Sequence, residues 1–177
     1  MIITISGLPG SGKTTVAKKL SEILGLKYYS IGTIMRDLAK DLGISLSELS
    51  KIAEEDRKID MKIDEKQKMI AKEDNIIVDS RLGFYFIPNS IKIFLTVDPK
   101  IASKRIFENK REDEKYRSIK EAYNKIKLRM ESEKKRYLTY YNIDYTDPKH
   151  YDLIIDTSDL NVDEIIEIIL KFLKEFI

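Results

Sequence analysis

Gly7-Leu8-Pro9-Gly10-Ser11-Gly12-Lys13-Thr14 follows the short apolar run Ile2-Ile3-Thr4-Ile5. It precedes a stretch in which Val16, Ala17, Leu20, Ile23 and Leu24 recur at helical spacing until Gly25. Glycine, four residues, glycine, lysine and threonine between a strand and a helix is the pattern of a phosphate cradle. Loop N–H groups and the helix N-terminus converge there on one anion. By composition alone the pattern arises in roughly one such chain in a hundred, or fewer. Its glycines let the backbone approach phosphate without a Cβ, Lys13 reaches the outer phosphates, and the Thr14 hydroxyl suits Mg²⁺. Gly7, Leu8, Pro9, Gly10, Ser11, Gly12, Lys13 and Thr14 are therefore candidate residues for holding ATP.

Working outward, further apolar runs stand at Ile76-Ile77-Val78, from Ile91 to Val97, and at Leu153-Ile154-Ile155, separated by helical patterns. Asp98-Pro99 sets a capping acid before a proline and predicts a helix through about Asn109. Ser45 with Glu48, and Asn161 with Glu164, read as capping boxes, the second opening the apolar face of a C-terminal helix. Alternating strands and helices predict a parallel sheet covered on both faces, with no internal repeat. Asp79 ends the Ile76-Ile77-Val78 run, where an acid orients Mg²⁺ through its water shell in this class of sheet; a plain strand-end turn residue is the alternative. The run Glu-Asn-Lys-Arg-Glu-Asp-Glu-Lys-Tyr-Arg at 108–117 has no apolar periodicity and predicts a mobile segment, either a solvated helix end or a lid.

The chain has 177 residues, 42% hydrophobic and 35% charged, which fits one domain with an ion-dense surface. Its 32 Lys and Arg against 30 Asp and Glu leave a net of +2, so nothing draws it to nucleic acid without regard to sequence. No apolar run is long enough for a membrane span, and Met1 leads straight into a strand, which together predict a cytoplasmic protein. With no cysteine and one histidine, His150, thiolate and nearly all imidazole chemistry drop out, and Lys, Arg and carboxylates must carry the work.

A monophosphate acceptor is largely ionised at neutral pH and needs no base, but two polyanions must be brought together. Guanidiniums, which grip phosphate oxygens in pairs and keep their charge, suit that task. Arg36, Arg81, Arg105, Arg129 and Arg136 are the candidates. Arg129, Glu133 and Arg136 stand at i, i+4 and i+7 and share one helix face, either pointing into a cleft or forming an intrahelical ion ladder.

At these residues the chain resembles the nucleoside monophosphate kinases, and most closely the short archaeal-type cytidylate kinases. The resemblance runs almost end to end. It is carried by 7–15, by Ser30-Ile31-Gly32-Thr33-Ile34-Met35-Arg36, by Asp79-Ser80-Arg81, by 129–137 and by Tyr151-Asp152-Leu153-Ile154-Ile155-Asp156-Thr157-Ser158. Related adenylate kinases carry Gly, Phe or Tyr, Pro and Arg after the third strand. Asp79-Ser80-Arg81 is nearer the cytidylate pattern Asp-Gly-Arg, with a serine in place of the glycine.

The resemblance implies an α/β fold, the P-loop NTPase three-layer α/β/α arrangement with a five-stranded parallel sheet. A single domain is expected: a core at 1–33, 75–105 and 130–177, an acceptor-binding segment at about 34–74, and a lid at about 106–129. It further implies Thr15, Arg105, Arg129 and Thr157 on the ATP side, and Ser30, Arg36, Arg81 and Arg136 on the acceptor side with Glu133 at the ribose. Lys13, Arg129, Arg136 and Asp79 become the catalytic set. Arg57, Asp60 and Asp64 have the chemistry to read cytosine, and Asp60 is taken as acceptor-binding. The expected activity is Mg²⁺-assisted transfer from ATP to CMP and dCMP by a monomer with no nucleic-acid or membrane partner. Alternatives are another monophosphate kinase, a kinase of a small hydroxyl substrate using Asp79 as base, and a nucleotide-sensing or RNA-associated protein.

Overall fold

The computed structural model describes residues 1–109 and 115–176. Five strands, β1 (Ile2–Gly7), β2 (Lys27–Ser30), β3 (Ile76–Asp79), β4 (Ile91–Thr96) and β5 (Leu153–Asp156), form one sheet in the order β2-β3-β1-β4-β5. Every pairing is parallel. The helices are α1 (Lys13–Leu24), α2 (Ile31–Asp41), α3 (Leu46–Glu55), α4 (Lys58–Ile70), α5 (Gly83–Phe86), α6 (Pro99–Glu108), α7 (Ile119–Tyr141) and α8 (Val162–Leu173). Of the charged run at 108–117, residues 110–114 lie outside the described residues, and the expectation of a mobile lid falls largely on them.

The alternation of side chains along a strand divides the core in two. Ile3, Ile5, Ile77, Ile93 and Leu95 face α1 and α8, meeting Val16, Leu20, Ile165, Ile166 and Ile169. Ile2, Ile76 and Val78 point the other way, toward Ile31, Ile63, Ile70 and Ile87. A small separate core of Ala39, Leu49, Ala53 and Ile59 holds α2, α3 and α4 together, so this helical excursion packs on itself as well as on the sheet.

Local signals set the element ends. Gly25 closes α1 in the left-handed conformation, Asp98 caps α6, and both capping boxes form as their spacing predicts. The edge strand β2 has no apolar run to announce it. Lys27-Tyr28-Tyr29-Ser30 stays extended by pairing in register with Ile76, Ile77, Val78 and Asp79.

Candidate functional site

Residues 7–14 turn the chain from β1 into α1 at the C-terminal edge of the sheet. Gly10 has φ 77°, and a Cβ there would stand 2.8 Å from the Cα of Ala102 in α6. Gly12 has φ 86° with nothing within 4 Å of a Cβ, so the left-handed backbone alone demands glycine. No side chain caps α1, whereas Ser30, Ser45, Asp98, Ser118 and Asn161 cap α2, α3, α6, α7 and α8. The first amides of α1 are thus left to the loop interior, where an anion satisfies them.

Lys13 is buried and its Nζ donates to the Leu8 carbonyl of its own loop at 3.4 Å. Burial, with the like charge of Arg81 second, pushes it down to about 7, against the smaller opposing pull of Asp79 and Glu133. Thr14 donates from Oγ1 to Asp79 Oδ2 at 2.7 Å, and Ser30 reaches the same oxygen at 3.5 Å. Parallel register explains the meeting, since β3 lies between β1 and β2 and sets Asp79 beside Ile5 and Ser30. Thr15 is exposed on the first turn of α1, and the Ser11 hydroxyl is buried with no hydrogen-bond partner among the described residues.

Arg105 reaches the cradle from α6. Its Nη1 donates to Gly10 O at 3.4 Å and Thr157 Oγ1 at 3.1 Å, and its Nη2 to Thr157 O at 2.6 Å and Ser158 O at 3.3 Å. Thr157 Oγ1 in turn donates to Ser11 O and Thr96 O, both at 3.1 Å. Arg105 thus ties the loop at Gly10 to the residues just past β5. Fully buried Thr157 is part of that tie through its hydroxyl.

Beyond Asp79 the same cleft widens between α2, α4 and α7, enclosing about 1060 Å³ with part of it open to solvent. Arg36, Asp60, Arg81, Arg129, Glu133 and Arg136 all line it together with Lys13 and Thr14. Arg36 Nη2 donates to Thr33 Oγ1 at 3.0 Å. Both readings of the α7 spacing hold: Arg129, Glu133 and Arg136 share the cleft face, and Arg129 Nε pairs with Glu133 Oε1 at 3.1 Å. Arg81 Nε takes the other Glu133 oxygen at 2.8 Å, and the Tyr145 hydroxyl approaches it at 3.4 Å. Burial pushes the Glu133 carboxyl up, but Arg81, Arg129 and Arg136 outweigh it and hold it down to about 2. Both Glu133 oxygens hold arginines, and the residue lines the cleft.

Arg136 is 4% exposed and Asp60 5%. Arg136 Nε stands 3.4 Å from Asp60 Oδ2, an ion pair without hydrogen-bond geometry. Arg136 Nε and Nη1 and Asp60 Oδ2 have no hydrogen-bond partner among the described residues. Two N–H groups of a buried guanidinium left unsatisfied in a cleft are costly without an incoming acceptor. Asp64, beside Asp60, accepts from the Tyr141 hydroxyl at 2.6 Å. Arg57 stacks over Tyr140 at 5.4 Å and does not line the cleft.

Gln67 and Tyr145, which no motif in the sequence marks, meet the cleft or its charged groups. Gln67 was within reach, since it follows Asp60 by seven residues and so shares its helix face. Tyr145 lies in a connection between α7 and β5, where no periodicity points inward.

The profile of the Cytidylate kinase-like family matches residues 2–159. A cytidylate kinase of Methanococcus aeolicus is 42% identical over 174 residues, covering 96% of this chain and 95% of that one. A cytidylate kinase of Archaeoglobus fulgidus is 43% identical over 173 residues, covering 97% and 93%. Shikimate kinase of Bacteroides thetaiotaomicron superposes with a TM-score of 0.67 over 98% of both chains at 15% identity, a likeness of fold alone. With the profile matched over 2–159 and two curated cytidylate kinases 42% and 43% identical over nearly the whole chain, the chain belongs to the cytidylate kinase-like family.

Proposed function

We propose that this chain transfers the γ-phosphoryl group of ATP to CMP, and to dCMP, acting as a monomer on small nucleotides in the cytoplasm. The observation that carries the reading is the buried Arg136, with two unsatisfied N–H donors in the cleft it shares with the cradle. The names of the curated relatives supply the acceptor base. No helix among the described residues is long and apolar enough to cross a membrane.

In this reading 7–14 and Lys13 hold the donor phosphates. Arg36, Arg81 and Arg136 hold the acceptor phosphate, with Ser30 and Asp60 also on the acceptor side. The acceptor oxygen is already ionised and attacks phosphorus in line, so the work is positioning and charge neutralisation. Arg129, at the cleft edge, is assigned to the equatorial oxygens of the transferring group, and guanidiniums in that role contribute factors of order 10³ to 10⁵. The three helices α2–α4 form the acceptor segment, and the region from 106 to 129 the lid. Thr14 Oγ1 and Asp79 Oδ2, 2.7 Å apart beside the cradle, are the hard oxygen pair that fits Mg²⁺, Thr14 directly and Asp79 through water. The ion, when bound, offsets charge on the β and γ phosphates.

The test is turnover with ATP and Mg²⁺ across CMP, dCMP, UMP, AMP, GMP and free nucleosides. CMP is expected to be fastest. Faster AMP turnover overturns the cytidine assignment, and turnover confined to nucleosides overturns the monophosphate reading. Arg136→Ala is expected to lower kcat/KM for CMP roughly 10²-fold or more while ATP affinity stays within a few-fold.

A further inference from the structure

The face of α4 toward the cleft carries Asp60, Ile63, Asp64 and Gln67, at i, i+3, i+4 and i+7. Asp60 faces Arg136 and Asp64 accepts from Tyr141. Gln67 is 3% exposed, and its Oε1 accepts a hydrogen bond from Ser80 Oγ at 2.5 Å. The Ser80 hydroxyl itself accepts from the backbone N–H of Leu82 at 3.2 Å and gives its single proton to Gln67. At this contact the Ser80 hydroxyl is the donor and the Gln67 carbonyl oxygen the acceptor. The carbonyl oxygen is held against the turn after β3, and the NH₂ group, which bonds nothing among the described residues, is left on the cleft side.

The Ser80 hydroxyl, itself 3% exposed, is the group that holds the Gln67 carbonyl. Glycine at that position would leave the amide free to turn over. A fixed NH₂ donor beside two carboxylates matches one pyrimidine and not the other. Cytosine offers acceptors at N3 and O2 and a donor at the exocyclic amine. Uracil presents a donor at N3 and an acceptor at O4. A donor set against N3 therefore accepts cytosine and meets another donor in uracil, while the carboxylates of Asp60 and Asp64 accept from the amine and repel O4.

We propose that Gln67, its amide oriented by the Ser80 hydroxyl, reads the ring-acceptor edge of cytosine and sets the preference of this enzyme for CMP over UMP. Gln67 is the specificity residue and Ser80 its positioning residue. The inference rests on the CMP kinase reading above and names a residue that reading leaves out.

Steady-state kinetics of wild type, Gln67→Glu and Ser80→Ala with CMP and with UMP test it, alongside the KM for ATP and the melting temperature of each variant. Gln67→Glu removes the donor, and the ratio of kcat/KM for CMP to that for UMP is expected to fall at least tenfold. Ser80→Ala releases the amide, and the same ratio is expected to fall several-fold through a raised KM for CMP, with kcat and the KM for ATP within twofold. Ratios within twofold of wild type in both variants overturn the proposal, as do equal losses with both acceptors. If Gln67→Glu does not fold, Ser80→Ala decides by the same criterion. A wild-type enzyme inactive on CMP sinks the functional reading and this one together. An enzyme active on CMP whose variants keep the ratio sinks this one alone.

Discussion

Lys13 must meet phosphate as a cation, yet in the free protein its surroundings oppose the charge. Burial and Arg81 bring it from the ordinary 10.5 down to about 7. Because the folded value lies below the unfolded one, the lysine costs stability fully below about pH 7, and the cost fades as pH rises toward 10.5. Lys13→Met is therefore expected to raise the melting temperature at pH 7 by a few degrees while abolishing measurable turnover, and a lower melting temperature would contradict the sign. Phosphates entering the loop restore the ammonium form, so ATP binding at pH 8 is expected to take up close to one proton, and much less at pH 6. Calorimetric enthalpies measured in two buffers of different ionisation enthalpy read that uptake directly, and identical enthalpies at pH 8 would refute it. The same residue shows what a motif conveys: its place in the cradle is legible in the sequence, whereas its charge state depends on Arg81 and Asp79, brought in by β3 from more than sixty positions away.

Elements whose ends are written in side chains are the ones the sequence makes plain. The capping box of Asn161 and Glu164 opens α8, whose Ile165, Ile166, Ile169 and Leu173 cover one face of the sheet. Asn161→Ala is expected to cost about 1 kcal/mol, measured as a lower urea midpoint with an unchanged slope. An unchanged midpoint would mean that packing alone holds the helix. β1 and β3 show as apolar runs because a strand buried on both faces has no polar side, and β4 and β5 show theirs although β5 lies at the sheet edge with Ile154 exposed. β2 shows no such run, since Lys27 is exposed and the two tyrosines half-buried at the sheet edge. The helix face of α7 was legible as spacing, but the partners of each group were not. Glu133 is placed on the cleft face by that spacing, but its pairing with Arg81 is not legible, because Arg81 arrives from the end of another strand.

Taken as one body, the molecule closes its cleft by tying α7 to the excursion of α2–α4. The Tyr140 hydroxyl donates to Ala53 O at 2.8 Å, Lys135 pairs with Glu54 at 3.1 Å, and Tyr141 reaches Asp64. Glu133 performs the matching task on the sheet side, joining α7 to the turn after β3 through Arg81. Its carboxyl, held down to about 2 from the ordinary 4.5, contributes stability that is complete above about pH 4.5 and lost as pH falls through 2. Glu133→Gln is expected to lose on the order of 3 kcal/mol at pH 7, with the gap to wild type narrowing between pH 4.5 and 2. A gap independent of pH in denaturant titrations would assign the loss to packing instead. That one carboxylate has a second consequence. An arginine cluster left bare would collect any orthophosphate or stray polyanion the cell offers. With an internal counter-ion already seated between two of its guanidiniums, the site is close to electrically balanced when empty. An anion enters by displacing a neighbour, and one that brings no nucleoside to grip is a poor competitor for the place.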